Sequence, residues 1–207
     1  MTKAKKLWRH FCTVLRHKAV VYQECRACGI GWQGLIHDLS KFSPAEFGPS
    51  ARYFQGDRSP IEAEKETVGY SNAWLHHKAH NKHHWEYWTD FFQGRIICCT
   101  MPWKYATELV CDMLSASKTY QPEAFSGQTC LEYFEERKDS CYMSKATKLY
   151  VEWCLKEYAE NGWKNLGKKN TKAKYEAITK EHPKFEVFEE LRNGKPLPDW
   201  QKQTTGL

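Results

Sequence analysis

Residues 6–28, KLWRHFCTVLRHKAVVYQECRAC, are the stretch that decides the fold. Their apolar side chains recur every three or four residues, which places them on one face of an α-helix. These apolar positions are Leu7, Trp8, Phe11, Val14, Leu15, Val21 and Cys25. Gly29 and Gly31 follow, and glycine commonly ends a helix. The sequence therefore predicts one long amphipathic helix that buries its apolar face.

Helical spacing continues along the rest of the chain, and no run alternates between apolar and polar residues as a half-buried strand does. We therefore predict an all-α fold. Further helices are expected over residues 32–42, 71–92, 102–118, 130–137, 145–160 and 171–192, with short helical turns from Pro44, at 60–66 and at 122–126.

Glycine and proline punctuate the segments between these helices. Residues 48–68 are rich in both and are expected to form a loop, and residues 96–99 are expected to be a short apolar connector. The predicted organisation is a helical core over residues 1–121 and a helical extension, residues 122–207, that packs on it.

The composition is that of a folded chain without membrane or secretory segments. With 207 residues, 41% of them hydrophobic, the chain is long enough to bury one core. No run of about 18 apolar residues is present, so we expect neither a membrane span nor a secretory signal. Nine cysteines at irregular spacing suit a reducing compartment, and we expect a cytoplasmic protein. Cys25 and Cys28 lack the second pair that a zinc knuckle needs, which favours a place in the core.

Histidines are concentrated in one short segment. Of the nine histidines, five lie within nine residues: His76, His77, His80, His83 and His84. Residues three and four apart lie on neighbouring stripes of a helix, so several of these imidazoles would point to one place. A solvated helix face is the alternative interpretation. We interpret the cluster as a candidate metal site, because imidazole is a common ligand of transition metals.

Three other predicted helices also carry residues that can bind a metal ion. They are His17, His37 with Asp38, and Asp112. Adjacent histidine and aspartate side chains project about 100° apart on a helix. The side chains of His37 and Asp38 can reach one metal ion only if the end of the helix that carries them points into the site. Asp112 lies in an apolar stripe, where a carboxylate is costly unless it is paired or bound to metal. A salt bridge is the alternative for Asp112.

The order His…His-Asp…His…Asp on a helical chain resembles the HD-domain superfamily of metal-dependent phosphohydrolases. The strings HDLSKF (37–42), HNKHHWEYW (80–88) and MPWKYATELVCDMLSASKTY (101–120) are also similar to a small family of bacterial and phage proteins. The resemblance covers about residues 10–121 and implies an HD-like helical bundle.

The resemblance also implies a metal centre. One cation would be held by His17, His37, Asp38 and Asp112, and Asp38 would bridge to a second cation. The candidate ligands of the second cation are His77, His80, His83 and His84. The implied cofactor is a divalent transition metal, Mn, Fe, Co, Ni or Zn, as one ion or, with the bridge through Asp38, as two. Besides Asp38, the expected catalytic residue is Lys41, which corresponds to the lysine of the HD-x-x-K pattern and would neutralise charge on a phosphoryl oxygen.

Three residues around the cluster are expected to support it. Asn81 and Glu86 are candidates for orienting the imidazoles through hydrogen bonds. Trp85 is expected to form a wall of the substrate pocket.

The expected function is hydrolysis of a nucleotide or another phosphorylated small molecule. The alternatives are a di-iron oxygenase of the same fold and a non-catalytic module that binds nucleic acid or protein. The net charge of +6 favours an anionic partner, either a phosphorylated small molecule or nucleic acid. The charged C-terminal segment is expected to pack on the core or to contribute to a homodimer.

Overall fold

The computed structural model describes residues 2–56 and 58–189, and it shows a mainly helical fold with one small sheet. In these residues the α-helices are α1 (Lys3–Ala27), α2 (Gly31–Ile36), α3 (Pro44–Tyr53), α4 (Pro60–Val68), α5 (Asn72–His80), α6 (Trp103–Tyr120), α7 (Gly127–Arg137), α8 (Lys145–Asn161) and α9 (Lys168–Glu181). The strands are β1 (Thr89–Phe92), β2 (Arg95–Cys99) and β3 (Phe185–Glu189). The predicted all-α class is confirmed at the level of a mainly helical fold.

The longest helices match the predicted apolar spacing. The α1 helix begins at Thr2, whose hydroxyl accepts a hydrogen bond from the Lys5 amide. The α8 helix begins at Ser144, whose hydroxyl accepts from the Thr147 amide in the same way. Such side-chain caps satisfy amide groups that have no partner inside the helix. The caps stabilise the first turns of two helices that the sequence predicts over 6–28 and 145–160.

The predicted helix over 71–92 is wrong beyond His80. Asn81 is extended and ends α5; its backbone amide and its side chain both donate to the carbonyl oxygen of His77. A short 3-10 turn, Trp85–Trp88, then leads into β1. Aromatic and β-branched residues favour strands, and residues 89–99 are rich in both.

A hairpin replaces the predicted apolar connector. Gln93 and Gly94, both at positive φ, form the tight turn between β1 and β2. The two strands pair antiparallel, with Thr89 opposite Cys98. On its other edge β2 pairs antiparallel with β3, so the strand order is β1-β2-β3.

The predicted helix over 171–192 also ends early. Pro183 disfavours helical backbone in the residue before it, and His182 is accordingly extended. The chain then enters β3, whose Phe185 and Val187 suit a strand. Residues 190–192 of the predicted helix, and residues 190–207 of the predicted extension, lie outside the described residues.

The predicted loop over 48–68 is largely helical. The helix that begins at Pro44 continues through Pro49 to Tyr53, and Pro60 occupies the first turn of α4, where the missing amide is tolerated. Gly69, at φ 85°, ends α4. Residues 122–124 form a turn in place of the predicted helix, and Ser126 then caps α7.

Two buried clusters hold the helices together. The larger lies between α6, α7 and α8 and includes Leu114, Phe134, Tyr150 and Leu155. The smaller joins α1 to α6 through Cys25, Cys28 and Cys111, which confirms that Cys25 and Cys28 are core residues. All nine cysteines are free thiols. No helix among the described residues is long and apolar enough to span a membrane.

Candidate metal centre

The His37-Asp38 pair lies in a turn rather than inside a helix. The α2 helix ends at Ile36, and the predicted helix over 32–42 is interrupted before a 3-10 turn, Leu39–Phe42. Asp38 adopts the left-handed conformation at φ 55°, which aspartate tolerates better than most residues. Lys18 on α1 donates to the carbonyl oxygens of Leu35 and His37. This turn directs both side chains into the protein, where His37 is 1% and Asp38 3% exposed.

One group of ligand-type atoms joins this turn to α1 and α6. His17 Nε2 lies 3.0 Å from Asp112 Oδ1, and His37 Nε2 lies 3.1 Å from Asp38 Oδ2. Nε2 of His37 is also 3.4 Å from Asp112 Oδ1. One atom from each of the four residues falls within 4.8 Å of all the others, close enough for one ion to contact them all.

A second group joins Asp38 to the histidine segment. His77 Nε2 lies 3.3 Å and His83 Nε2 3.5 Å from Asp38 Oδ1. With His84 they form another set whose ligand atoms lie within 4.8 Å of one another. His83 and His84 follow the end of α5 rather than continuing it, so the turn after His80 brings them to Asp38.

Asp38 is shared between the two groups through different oxygens. Its Oδ2 faces His37, whereas its Oδ1 faces His77 and His83. Asp112 is divided in a similar way, because its Oδ2 lies 3.7 Å from His83 Nε2 while its Oδ1 faces His17. A carboxylate with one oxygen toward each set of imidazoles is suited to bridging two cations.

The inward-facing nitrogens are left without hydrogen bonds. Among the described residues, Nε2 of His37, His83 and His84 is buried and has no hydrogen-bond partner. Buried polar atoms in folded proteins are nearly always paired, so three such atoms in groups that share Asp38 need an explanation. A bound cation would satisfy all three, and the residues present therefore fit a metal centre.

Two outer carboxylates, not foreseen from the sequence, fix the orientation of these rings. Nδ1 of His37 donates to Glu108 Oε1 at 2.8 Å, and Nδ1 of His83 lies 3.3 Å from the same oxygen. Nδ1 of His77 donates to Glu46 Oε2 at 2.7 Å. A proton held on Nδ1 leaves the Nε2 lone pair free, which is the arrangement that metal-binding histidines usually show.

The structure brings together seven of the eight predicted metal ligands and leaves His80 outside. His80 is exposed, stacks on His76 and donates to the carbonyl oxygen of His76. The Asn81 amide nitrogen donates to the carbonyl oxygen of His77 and lies 3.1 Å from Nδ1 of the His77 ring, so Asn81 lies beside an imidazole that it was expected to orient. Trp85 packs against the larger core cluster, and no hydrogen bond joins Glu86 to an imidazole in the described part of the chain.

The electrostatics keep both shared carboxylates ionised. Burial alone would raise the pKa of Asp38, but His37, Lys41 and His77 outweigh it and hold this pKa well below its usual value. The neighbouring imidazoles lower the pKa of Asp112 in the same way, against the effect of burial. Ionised carboxylates are the form that metal binding requires.

The imidazoles respond to the cluster in different directions. Burial, reinforced by the neighbouring imidazoles, lowers the pKa of His84 well below its usual value and keeps that ring neutral. Burial would also lower the pKa of His37, but the carboxylates of Asp38, Asp112 and Glu108 raise it well above its usual value. A cation binding at His37 must therefore displace a proton, and affinity for metal is expected to fall as the pH falls.

Lys41 lies between this cluster and a cleft that opens beside it. Its Nζ is 2.5 Å from Asp38 Oδ2, and its side chain is 26% exposed. Burial lowers the pKa of this amine, but Asp38 and Asp112 outweigh burial and raise it, so Lys41 is a cation. The cleft is lined by His10, Val14, His17, Lys41, Ser50, Ser59, Pro60, Ile61 and Tyr120.

Glu108→Gln is expected to raise the metal dissociation constant by about 10- to 100-fold, because a neutral amide orients the His37 and His83 rings less firmly. Competition with a chromophoric chelator measures this change. The control is Glu160→Gln, which replaces an exposed carboxylate of α8. Equal affinities in the two variants would remove Glu108 from the site.

His10 is expected to make stability depend on pH. Burial first, and then the charge of Lys41, lowers the pKa of His10 from 6.5 to about 4. The unfolded chain therefore binds this proton more tightly, so the stability that neutral His10 contributes is full above pH 6.5 and lost as the pH falls toward 4. The free energy of unfolding should therefore fall by on the order of 2–3 kcal/mol as His10 becomes protonated.

Chemical denaturation of wild type and His10→Gln at pH 7 and pH 4.5 measures this term. We expect a smaller pH dependence in His10→Gln than in wild type. The control is His182→Gln, outside the cleft. The same pH dependence in wild type and His10→Gln would contradict the assignment.

Comparison with known proteins places the whole cluster inside one family match. No curated protein and no solved structure matches the chain. One family profile matches residues 6–157, which include His17, the His37-Asp38 turn, the histidine segment and Asp112. Because that match spans well over half of the sequence, the chain belongs to the family of unknown function DUF5662.

Proposed function

We propose that this chain is a metal-dependent phosphohydrolase that acts on a phosphorylated small molecule through a dinuclear centre. The observation that carries the proposal is the division of Asp38 between two sets of imidazoles, in which Nε2 of His17, His37, His83 and His84 is buried with no hydrogen-bond partner among the described residues. The resemblance to HD-domain phosphohydrolases supports the same conclusion.

The residues of the cluster fit the separate tasks of phosphate-ester hydrolysis. Two bound cations would supply a hydroxide nucleophile near neutral pH and neutralise charge on the phosphate. Asp38 and Asp112 supply the negative charge that holds them. Glu108 and Glu46 keep the Nε2 lone pairs directed inward. Lys41, at the boundary between the cluster and the cleft, offers an ammonium group to an anionic phosphoryl oxygen.

A screen of phosphomonoesters and nucleotides tests the proposal. Untagged protein is loaded separately with Mn, Fe, Co, Ni and Zn, and release of inorganic phosphate is measured. We expect turnover with at least one metal, abolished by a chelator and restored by returning the metal. Absence of hydrolysis from protein shown to contain metal would contradict the proposed activity.

Two results would favour the other functions instead. Bound iron with a mixed-valence spectrum, without phosphate release, would favour a di-iron oxygenase. A metal-free protein that binds nucleic acid with a steep dependence on salt would favour a binding module.

A further inference from the structure

The cleft beside Lys41 contains polar groups that make no hydrogen bond to the residues that the structure describes. Three hydroxyl-bearing residues line it: Ser50, Ser59 and Tyr120. None of these hydroxyls hydrogen-bonds to another described residue. Ser59 stands at the start of α4, yet its side chain makes no capping bond. Three hydroxyls are thus available to a ligand on one side of the metal centre.

His10 adds a buried group to the same wall. It is 3% exposed and packs between Phe47 and Phe54, with ring centroids 5.1 and 5.2 Å away. Its Nδ1 is buried and has no hydrogen-bond partner in the part of the chain that the structure describes. A buried imidazole that is left unpaired beside free hydroxyls points to a polar ligand.

The cleft is continuous with the proposed reaction centre. His17 and Lys41 belong both to its lining and to the cluster around Asp38. A phosphate held at the cluster would therefore extend its ester group into the cleft. The space within it that water-sized groups can occupy is about 30 Å³, more than the roughly 10–15 Å³ that one water molecule needs, so it has room for a hydroxyl group.

We propose that the cleft binds a hydroxyl group of the substrate's leaving alcohol, which makes the substrates phosphomonoesters of small polyols or sugars. This inference rests on the proposed function, because it assigns the leaving group of that reaction. Tyr120, Ser59 and Ser50 are the hydrogen-bond partners of the hydroxyl, and neutral His10 closes the end of the cleft. These residues determine specificity and leave the phosphate to the metal cluster and Lys41.

Two substrates that differ only in hydroxyl groups test the inference. Glycerol 3-phosphate and n-propyl phosphate share the phosphate and the three-carbon chain. We expect metal-loaded protein to show a kcat/KM about tenfold or more higher for glycerol 3-phosphate, mainly through KM. Replacing Tyr120→Phe together with Ser59→Ala should lower the ratio of the two kcat/KM values by about tenfold. The control, Tyr133→Phe on the exposed face of α7, should leave the ratio unchanged.

Calorimetric binding of both esters to the metal-loaded protein separates this inference from the proposed function. Tighter binding of glycerol 3-phosphate that is lost in the double variant supports the cleft, even if neither ester is hydrolysed and the proposed activity fails. Hydrolysis of both esters with equal kcat/KM and equal dissociation constants would overturn the cleft and leave the activity standing. A preference for adenosine 5′-monophosphate that the double variant does not alter would also overturn it.

Discussion

Asp38→Asn is expected to reduce metal binding to less than one ion per chain and to lower phosphate-ester turnover by on the order of a thousandfold or more. The substitution removes the negative charge of Asp38, whose two oxygens face the two groups of imidazoles. Asparagine keeps the size of the side chain and tolerates the left-handed backbone of this position, so the variant tests charge and coordination rather than the turn. Metal titration and steady-state kinetics measure the two effects.

Melting curves provide an independent check on the same variant. Metal binding is coupled to folding, so a chelator should lower the melting temperature of the wild type but not that of Asp38→Asn. The control, Asp139→Asn, changes an exposed aspartate after α7 and should behave as the wild type. Two ions per chain in Asp38→Asn would contradict the bridging role.

Lys41→Ala is expected to lower kcat for a phosphomonoester by roughly 100- to 1000-fold while two metal ions remain bound. The ammonium group lies beside Asp38 and lines the cleft, where under the proposed function it would contact an anionic substrate oxygen. It is not a metal ligand, because a protonated amine has no lone pair to donate. Its removal therefore acts on the substrate and not on the cations.

The control for this prediction is Lys172→Ala, which changes an exposed lysine of α9. Lys41→Arg is not expected to restore full activity, because a planar guanidinium replaces a compact charge. Unchanged kcat in Lys41→Ala, measured with metal content verified, would return Lys41 to a purely structural ion pair with Asp38.

The helices that could be predicted are those whose signals are local. The apolar spacing of α1 and α6 lies within each segment, and no distant residue is needed to explain it. Asn81, at the end of α5, donates instead to the hydroxyl of Ser40, 41 residues earlier, and β3 depends on pairing with β2, which lies about ninety residues earlier. The spacing of aromatic residues after His80 suits either a buried helix or a hairpin, so the sequence alone does not decide between a helix and strands there.

The candidate site likewise combines residues that the sequence identifies with residues that only the structure identifies. His17, His37, Asp38 and Asp112 follow from the order of residue types along the chain. Excluding His80 required the position of the turn after α5, which spacing on an uninterrupted helix does not reveal.

The two outer carboxylates were missed for different reasons. Glu108 lies four residues before Asp112, on the same face of α6, and this spacing was a signal that could have found it. Glu46 contacts His77 from α3, and the second half of that helix was expected to be a loop. No local pattern in the sequence therefore linked Glu46 to His77.

Elemental analysis of untagged protein tests the central claim most directly. After reconstitution with Mn, Fe, Co, Ni or Zn and removal of free metal, a dinuclear centre predicts two ions per chain of at least one of these elements. Absence of bound metal under all five conditions would contradict the assignment of His17, His37, Asp38, His77, His83, His84 and Asp112 as a metal centre.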